Sequence, residues 1–299
     1  MNIRESHIVE NEQEEKRFED YAHELFEALP SRKGVKKAIK KGHLLLNGEK
    51  VETGRYIQKN DRIDLMDFQH PDRRAFDFTL EVIFEDEYLA VINKPPGISV
   101  SGNHFQTIER ALPNNLTPST QKDALLSPHP VHRLDFATSG LLIIAKTAKA
   151  SMTLGEAFKN KTIEKTYHAL VIGVPATSGI ISFPVDNKTA ETAFEFVKYV
   201  PSFKSTYISL LKLYPRTGRR HQIRIHLAQL CHPIIGDKLY GDKEKSVMHR
   251  GLYLAATKLK FQHPISKKDL EFSLDLPSKF YALLNGEERR WKKYNPDLK

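Results

Sequence analysis

Apolar residues in the first part of the chain recur at helical spacing, so two helices are expected there. The first is predicted over residues 17–29 and the second over 31–43, where Ser31 is placed to act as the N-cap. Asn47-Gly48 lies between β-prone residues and predicts a tight hairpin turn. The first part of the chain is therefore expected to be a small unit of helices and short strands.

Beyond a charged stretch at about 67–77 the pattern changes to short apolar runs typical of strands, and 101–131 is predicted as loop with one short helix. Because strands and helices do not alternate regularly, the sequence predicts an α+β fold with a mainly antiparallel sheet. We expect a polar N-terminal segment (1–16), a small α+β unit (17–70) and one large domain (78–299). Strands are predicted at 79–86, 88–95, 141–146, 165–173, 193–200, 205–215 and 251–262, and helices at 150–160 and 219–231.

The charge of the chain points to a polyanionic partner. The 299 residues carry a formal net charge of +9 at pH 7, and a basic surface attracts nucleic acid. An ordinary protein with surplus lysines is the alternative that charge alone leaves open. Cys231 is the single cysteine, and the charged N-terminal stretch does not suit a signal peptide, so a cytoplasmic location is expected. No segment has the apolar length of a membrane span, so no membrane partner is expected.

The second predicted helix carries a row of cations. Val35, Ala38 and Ile39 are expected to face inward, which leaves the charged residues on the opposite face. Like charges with no acid among them repel each other and suit a phosphate backbone better than water alone. A merely solvated helix face is the alternative. The RNA-binding candidates are Arg32, Lys33, Lys36, Lys37, Lys40 and Lys41.

The segment His132-Arg133-Leu134-Asp135 leads through a turn of small residues into a predicted buried strand. A carboxylate held near an arginine stays ionised and can act as a nucleophile. The same spacing is also typical of an aspartate that only hydrogen-bonds its own turn. The residues by themselves leave both interpretations open.

A second basic cluster, RTGRRHQIRIH, lies at a predicted helix start. Arg216, Arg219 and Arg220 surround a glycine there, which is typical of a phosphate site. His221 and His226 have a spacing that metal ligands use, but no glutamate lies between them as it does in HExxH. We therefore expect no metal site.

Several motifs occur in one fixed order from about Thr79 onward: INKPPGISV, HRLDFATSGLLIIAKT, KTYHALVIG, TGRRHQIRIHLAQLCHPIIGDKLYG and LKFQHP. Together they resemble the RluA-type family of RNA pseudouridine synthases. Residues 17–66, with SRKGVKKAIKKGHLLLNGEKV and KNDRIDL, resemble an S4 RNA-binding domain. The resemblance implies an isomerase that converts uridine in structured RNA to pseudouridine, with no metal, organic cofactor or obligate protein partner.

The resemblance also implies roles for individual residues. Asp135 would be the catalytic aspartate, which attacks the uridine at the sugar or at the base. Tyr167 would pack on the uracil and assist a proton transfer at C5, and Arg224 would pair with Asp135. Arg133 would fill the gap left by the extracted base, and His132 would hydrogen-bond the loop or the RNA backbone. The remaining substrate-binding candidates are Thr138, Arg219, Arg220, His221 and Gln222.

Two departures from the common pattern are Ser101 and Ala255, positions where histidine is frequent, and neither carries the chemistry. Two other classes of protein stay open. One is a non-catalytic S4-type RNA-binding protein, and the other is a carboxylate-based hydrolase, which would need a second carboxylate at working distance. The S4-like unit favours large-subunit ribosomal RNA as the substrate, with transfer RNA as the alternative.

Overall fold

The protein consists of a small N-terminal unit and a large domain built on one long sheet. The structure is a computed structural model that describes residues 3–10, 16–29, 31–66, 75–242 and 251–295. None of the helices in these ranges combines the length and the apolar character that a membrane crossing requires.

The N-terminal unit packs two helices against a three-stranded antiparallel sheet whose order is β1-β3-β2. The sequence predicts a separate polar segment at 1–16, but Ile3–Ile8 instead form β1, which pairs along β3. The pattern missed this strand because its edge pairing depends on backbone hydrogen bonds, and its side chains show no clear apolar alternation. The elements are β1 (Ile3–Ile8), α1 (Phe18–Leu25), α2 (Arg32–Lys40), β2 (Leu44–Leu46) and β3 (Arg62–Met66).

Helix α2 begins and packs as its sequence predicts. The hydroxyl of Ser31 accepts a hydrogen bond of 3.1 Å from the backbone N–H of Gly34, and Val35, Ala38 and Ile39 are buried in the core of the unit. The six cations of the RNA-binding candidate face are all exposed.

That face is not free of acids, contrary to the pattern seen in α2 alone. Helix α1 lies beside α2, and Asp20 approaches Arg32 to 3.3 Å while Glu19 approaches Lys36 to 3.7 Å. Two of the six cations are therefore partly neutralised by the neighbouring helix.

The predicted turn at Asn47-Gly48 forms, with φ of 55° and 82° at the two residues. The turn closes a short hairpin as predicted, since Leu46 and Glu49 exchange two backbone hydrogen bonds of 3.0 Å, but the rest of β2 pairs with β3 and not with the segment after the turn. The side chain of Asn47 explains the difference, since it donates to Asp61 and accepts from the N–H of Arg62.

The large domain is a mixed sheet of ten strands with the order β4-β5-β7-β12-β8-β11-β10-β9, to which β13 adds beside β12 and β6 beside β7. Within the described ranges β7 and β12 form the one parallel pair, so the predicted mainly antiparallel α+β fold is confirmed. The strands are β4 (Glu81–Glu85), β5 (Leu89–Lys94), β6 (Ala124–Pro130), β7 (Ser139–Thr147), β8 (Glu164–Ile172), β9 (Ser178–Ile181), β10 (Thr192–Ser202), β11 (Thr206–Pro215), β12 (Leu254–Gln262) and β13 (Asp269–Ser273). The helices are α3 (Ile108–Ala111), α4 (Ala148–Lys159), α5 (Gln222–Gln229) and α6 (Ser278–Tyr294), with a short 3₁₀ helix at Leu112–Asn114.

Strand β6 joins the two parts of the molecule and leads into the HRLD segment. The region was predicted as loop because 101–131 is rich in Asn, Pro, Ser and Thr. Arg4 of β1 donates hydrogen bonds of 2.7 and 2.9 Å to the carbonyls of Lys122 and Ala124, and Leu126 packs against the core of the N-terminal unit. The lysine-bearing unit thus contacts the strand that leads to the candidate catalytic aspartate.

Strand β7 is the buried centre of the large domain, and each of its residues is buried. It pairs with β12 at Ser139 and Gly140, where the backbones come very close. A Cβ atom on Gly140 would lie 2.1 Å from the carbonyl oxygen of Ala256, and φ of Gly140 is +118°. Only glycine fits this position, which brings the turn before β7 next to β12 and β8.

Candidate active site

The motifs that are separated in sequence converge on one cavity of about 510 Å³, a size typical of small-ligand pockets. The turn before β7, the first half of β8 and the loop that leads into α5 form its walls. Each catalytic and substrate-binding residue predicted from the sequence lines it: His132, Arg133, Asp135, Thr138, Tyr167, Arg219, Arg220, His221, Gln222 and Arg224. The cations of α2 are not part of this cavity.

Asp135 lies in a tight turn at the entrance of β7. Its carbonyl accepts a hydrogen bond of 3.1 Å from the N–H of Thr138, while the neighbouring Leu134 is buried as an anchor. The carboxylate is 16% exposed and faces Arg224 at 3.6 Å and His221 at 3.8 Å. The charge of Arg224 attracts the carboxylate at this distance, and both distances are too long for hydrogen bonds, so the carboxylate keeps lone pairs available for a substrate.

Arg224 has a closer partner than the one predicted. Its guanidinium forms a bidentate salt bridge with Asp237, with Nε–Oδ2 and Nη2–Oδ1 distances of 2.7 Å, and both side chains are buried. Burial pushes the pKa of Asp237 upward, but its hydrogen bonds from Arg224, Leu239 and Tyr240 outweigh burial and lower that pKa. Asp237 therefore fixes the arginine, which presents its remaining nitrogen to Asp135.

Lys94 holds the turn that carries Asp135. It is fully buried at the end of β5, and its ammonium donates to the carbonyls of Pro95, Phe136 and Thr138 at 2.9, 3.3 and 2.8 Å. Burial lowers the pKa of Lys94 to about 8, and the charge of Asp135 opposes that shift. This role is not evident from the sequence because two of the three partners are backbone carbonyls more than 40 residues further along the chain.

Tyr167 lies on β8 opposite Ala256 of β12 and Leu213 of β11, and it lines the cavity beside Asp135. Burial, followed by the negative charge of Asp135, raises the pKa of the Tyr167 phenol above its ordinary value. The phenol therefore stays protonated near neutral pH and offers a ring face and a hydroxyl rather than a phenolate.

Thr138 lines the same cavity and is 2% exposed. Within the described part of the chain its hydroxyl has no hydrogen-bond partner. A buried hydroxyl without a partner is costly, so this atom is suited to a group that enters the cavity.

His221 lies at the end of the basic loop with φ of +56°. Its Nδ1 is 3.0 Å from the hydroxyl of Tyr240, and its Nε2 faces Asp135. Burial lowers the pKa of His221, with Asp135 opposing and Arg224 reinforcing the shift. Arg219 donates to the carbonyl of Thr189, whereas the exposed Arg220 lines the cavity mouth.

Two predicted substrate-binding residues have their polar atoms engaged inside the protein. His132 accepts a hydrogen bond at Nε2 from the N–H of Ile143 and packs on Phe158, and burial lowers its pKa to about 3. Gln222 is buried, and its amide bonds to Thr217, to the N–H of Arg219 and to the β10 residue Thr192. Both side chains therefore brace the wall of the cavity, and their contact with the substrate stays a prediction.

One of the two histidines that have the spacing of metal ligands is held by other contacts. His226 is buried, with Nδ1 at 3.0 Å from the hydroxyl of Thr192 and Nε2 at 2.8 Å from the carbonyl of Phe183. In the ranges given above no three His, Cys, Asp or Glu side chains are grouped as metal ligands would be. The ring nitrogens of His226 are therefore already used.

The site combines an accessible carboxylate, a buried arginine beside it, a protonated phenol and exposed arginines at the mouth of the cavity. This set suits a nucleophilic or electrostatic role for Asp135 on a substrate that carries phosphates. The second carboxylate that a hydrolase would need is Asp237, but its oxygens are occupied by Arg224 and by two backbone N–H groups.

Comparison with known proteins agrees with this chemistry. The model of the RNA pseudouridylate synthase family matches residues 88–229, which include Asp135, Tyr167 and Arg224. The tRNA pseudouridine synthase C of Vibrio cholerae is 31% identical over 69% of this chain and 95% of that protein. The ribosomal large subunit pseudouridine synthase D of the same species is 29% identical over 90% of this chain and 90% of that protein.

A solved structure shares the fold. The human RNA pseudouridylate synthase domain containing 4 superposes with a TM-score of 0.55 at 23% identity, over 70% of this chain and 93% of that chain. The chain belongs to the RNA pseudouridylate synthase family and is an RNA pseudouridine synthase, an isomerase. The predicted family resemblance is thereby confirmed.

Proposed function

We propose that this enzyme converts uridine to pseudouridine in large-subunit ribosomal RNA, with Asp135 as the catalytic aspartate. The observation that carries the choice of RNA is one long alignment. The ribosomal relative from Vibrio cholerae aligns with 90% of the chain. An alignment over 90% of the chain must include most of the N-terminal unit with the cations of α2.

The reaction exchanges one bond for another at the anomeric carbon. The N1–C1′ bond breaks, the uracil turns within the cavity, and a C5–C1′ bond forms. C5 then loses its proton and N1 gains one, so the product has the formula of the substrate. Asp135 starts the exchange by attack at the sugar or the base, and the bond that it forms with the substrate breaks again before the product leaves. The neighbouring Arg224 stabilises the carboxylate as an anion.

The remaining residues of the cavity act on the substrate around this centre. Tyr167 packs on the uracil, and its phenol assists the proton transfer at C5. Thr138 offers its hydroxyl to the base. The target nucleotide has to leave the helical stack to reach Asp135, and the exposed Arg133 fills the gap that it leaves.

The N-terminal unit supplies affinity for RNA in this proposal, as an S4-like domain. The side chains of Lys33, Lys37 and Lys40 are exposed on α2, and these cations are suited to phosphates. A cytoplasmic location, where such RNA is found, stays a prediction.

The experiment maps pseudouridines in total RNA from wild-type and deletion strains by carbodiimide-stop sequencing. We expect one or a few sites in large-subunit ribosomal RNA to disappear in the deletion strain. Wild-type protein should restore them, whereas Asp135→Asn protein should bind the RNA and restore none.

Each other outcome points to a definite alternative. Sites lost only from transfer RNA would replace the ribosomal assignment with the transfer-RNA one. Sites restored by Asp135→Asn would show that another residue carries the catalysis. An unchanged map in cells that express the protein would refute the ribosomal proposal.

A further inference from the structure

A second groove of about 800 Å³ lies beside the candidate active-site cavity. The two spaces share four lining residues, Lys161, Lys165, Pro215 and Arg216. Strands β8 and β11 pair with each other only as far as Tyr167 and Leu213, and the ends beyond these residues line the region where the two spaces adjoin. A strand of substrate that leaves the cavity can therefore continue into the groove.

Lys165 stands at this junction. It lies two residues before Tyr167 on β8, so both side chains project from the same face of the strand. Its ammonium is 6.0 Å from the centre of the Phe158 ring, and its charge reaches His132, whose pKa it helps to lower after burial. Lys165 thus points toward the cavity that holds Asp135.

The charge of Lys165 is not neutralised by the protein. Among the described residues no carboxylate lies within 4.0 Å of its ammonium, and burial alone lowers the pKa of Lys165. The other cations of the groove differ, since Lys258 pairs with Glu271 at 2.7 Å and Arg216 with Glu191 at 2.6 Å. A part-buried cation without a counter-ion is costly, and a bound anion removes that cost.

The rest of the groove carries further cations, although the acidic residues Glu164 and Glu191 also line it. Lys161 is exposed and lines both spaces, and Lys212 lies further along β11. A hydrogen bond with Tyr214 raises the pKa of Lys212, which keeps its ammonium charged. A line of cations interrupted by an aromatic ring is typical of a groove that follows a nucleic-acid backbone.

We propose that Lys165 binds the phosphate next to the target uridine and that the groove carries the adjoining RNA strand past Lys161 and Lys212. The proposal rests on the placement of the target uridine beside Asp135, but not on which RNA contains it. Lys165 acts as a binding and positioning residue rather than as an acid or a base.

The test is a thermodynamic cycle that combines one side-chain substitution in the protein with one neutralised phosphate in the RNA. A synthetic stem-loop RNA containing the mapped uridine is prepared with a neutral methylphosphonate at each flanking phosphate in turn. Binding of each RNA to wild-type protein and to Lys165→Met is measured, since methionine keeps the aliphatic packing on Phe158. We expect one phosphate whose neutralisation weakens wild-type binding by about 10- to 100-fold. Lys165→Met should bind the unmodified RNA more weakly by a similar factor and should be insensitive at that phosphate.

Further measurements separate this contact from a structural effect. The slope of log K against log salt should become shallower by about one in Lys165→Met, since one phosphate contact is lost. The KM of this variant should rise, while its kcat at saturating RNA is retained. Lys165→Arg should restore most of the affinity. Lys212→Met should also make the salt dependence of binding shallower. Neutralising the phosphate that Lys165 contacts should still weaken RNA binding by this variant. Lys268→Met, at an exposed lysine between β12 and β13, is the matched control and should change neither the RNA affinity nor its salt dependence.

The proposal is overturned if Lys165→Met binds the unmodified RNA as tightly as wild type does. It is also overturned if neutralising each phosphate weakens binding by Lys165→Met as much as it weakens binding by wild type. A Lys165→Met protein that fails to fold leaves the decision to Lys165→Arg, which must retain the phosphate-specific loss. If mapping finds the uridine in transfer RNA, the ribosomal assignment fails and the cycle is run on that RNA. If Asp135→Asn remains active, the placement of the uridine fails independently of Lys165.

Discussion

Arg224 lies between two carboxylates at different distances: it hydrogen-bonds Asp237 at 2.7 Å and is 3.6 Å from Asp135. The shorter contact orients the guanidinium, and the longer one leaves Asp135 free to react. Asp237 thus positions a residue that in turn positions the candidate nucleophile.

Replacement of Asp237 by asparagine is expected to damage both stability and catalysis. Loss of one member of a buried ion pair leaves the other charge uncompensated, which costs about 3–5 kcal/mol of the free energy of unfolding. A displaced Arg224 should lower kcat by about 100-fold with a smaller effect on KM. Chemical denaturation and single-turnover assays measure the two quantities.

Glu288→Gln is the control for this change. It removes the exposed pair between Glu288 and Lys292 in α6, which should contribute little to the free energy of unfolding. If Asp237→Asn lowers stability no more than Glu288→Gln and leaves kcat intact, Asp237 does not position Arg224 in the way inferred.

The pH dependence of the enzyme should reflect Lys94. Its pKa of about 8 lies below the ordinary value of 10.5, so between these pH values the folded protein binds fewer protons than the unfolded one. The contribution of Lys94 to the free energy of unfolding should therefore rise with pH across this window. Catalysis should change in the opposite direction, because a neutral amine has two N–H donors for three carbonyls. We expect kcat to fall as the pH rises through about 8.

Comparison of wild type with Lys94→Met separates these two effects. The difference in free energy of unfolding between the proteins should depend on pH between about 8 and 10.5. Lys94→Met should be slow at each pH and should lack the alkaline decline. A wild-type kcat that stays constant through this window would contradict the inferred role.

Tyr167 can be tested for its ring and its hydroxyl separately. Tyr167→Phe keeps the stacking surface, so RNA affinity should change little, while loss of a proton-transfer group should lower kcat by about 100- to 10,000-fold. Tyr167→Leu should reduce both affinity and kcat. Full activity in Tyr167→Phe would show that the residue contributes only packing.

Thr138 gives a related prediction about substrate contact. Thr138→Val replaces the hydroxyl by a methyl group of similar size, so KM should rise by about 10-fold if the hydroxyl binds the base. Thr138→Ser keeps the hydroxyl and should retain the KM of wild type. Equal KM values for both variants would assign Thr138 to the packing of the turn alone.

The parts of the site that could be predicted from sequence are those whose chemistry is local to a motif. The segments around Asp135, Tyr167 and Arg224 were recognised, and the structure brings them to one cavity. Asp237 and Lys94 occur in two of the same motifs, GDKLYG and INKPPG, but their partners are distant. Arg224 is 13 residues from Asp237, and Thr138 is 44 residues from Lys94, so only the folded sheet reveals either contact.

Elements without a periodic apolar pattern were the hardest to predict. Strand β6 contains two prolines, and β1 is an edge strand whose polar side chains hide its pairing. Helix α6 was not predicted, although Phe280, Leu283 and Leu284 are buried in the large core. The central strand β7 was predicted because burial on both faces leaves an uninterrupted apolar run.

Gly140 provides the sharpest test of how the fold positions the turn that carries Asp135. An alanine there would place Cβ 2.1 Å from the carbonyl oxygen of Ala256 and would require a φ that side chains other than glycine rarely adopt. We expect Gly140→Ala to destabilise the fold and to abolish activity, since β7 and β12 must separate and move Asp135 away from Arg224. The matched control is Gly155→Ala in α4, where no atom lies within 4 Å of the added methyl group and helix propensity should increase stability by about 0.5–1 kcal/mol. Thermal unfolding and turnover of the two variants compare the sites directly. A Gly140→Ala protein with wild-type stability and kcat would refute the close approach of β7 and β12 as the feature that fixes Asp135.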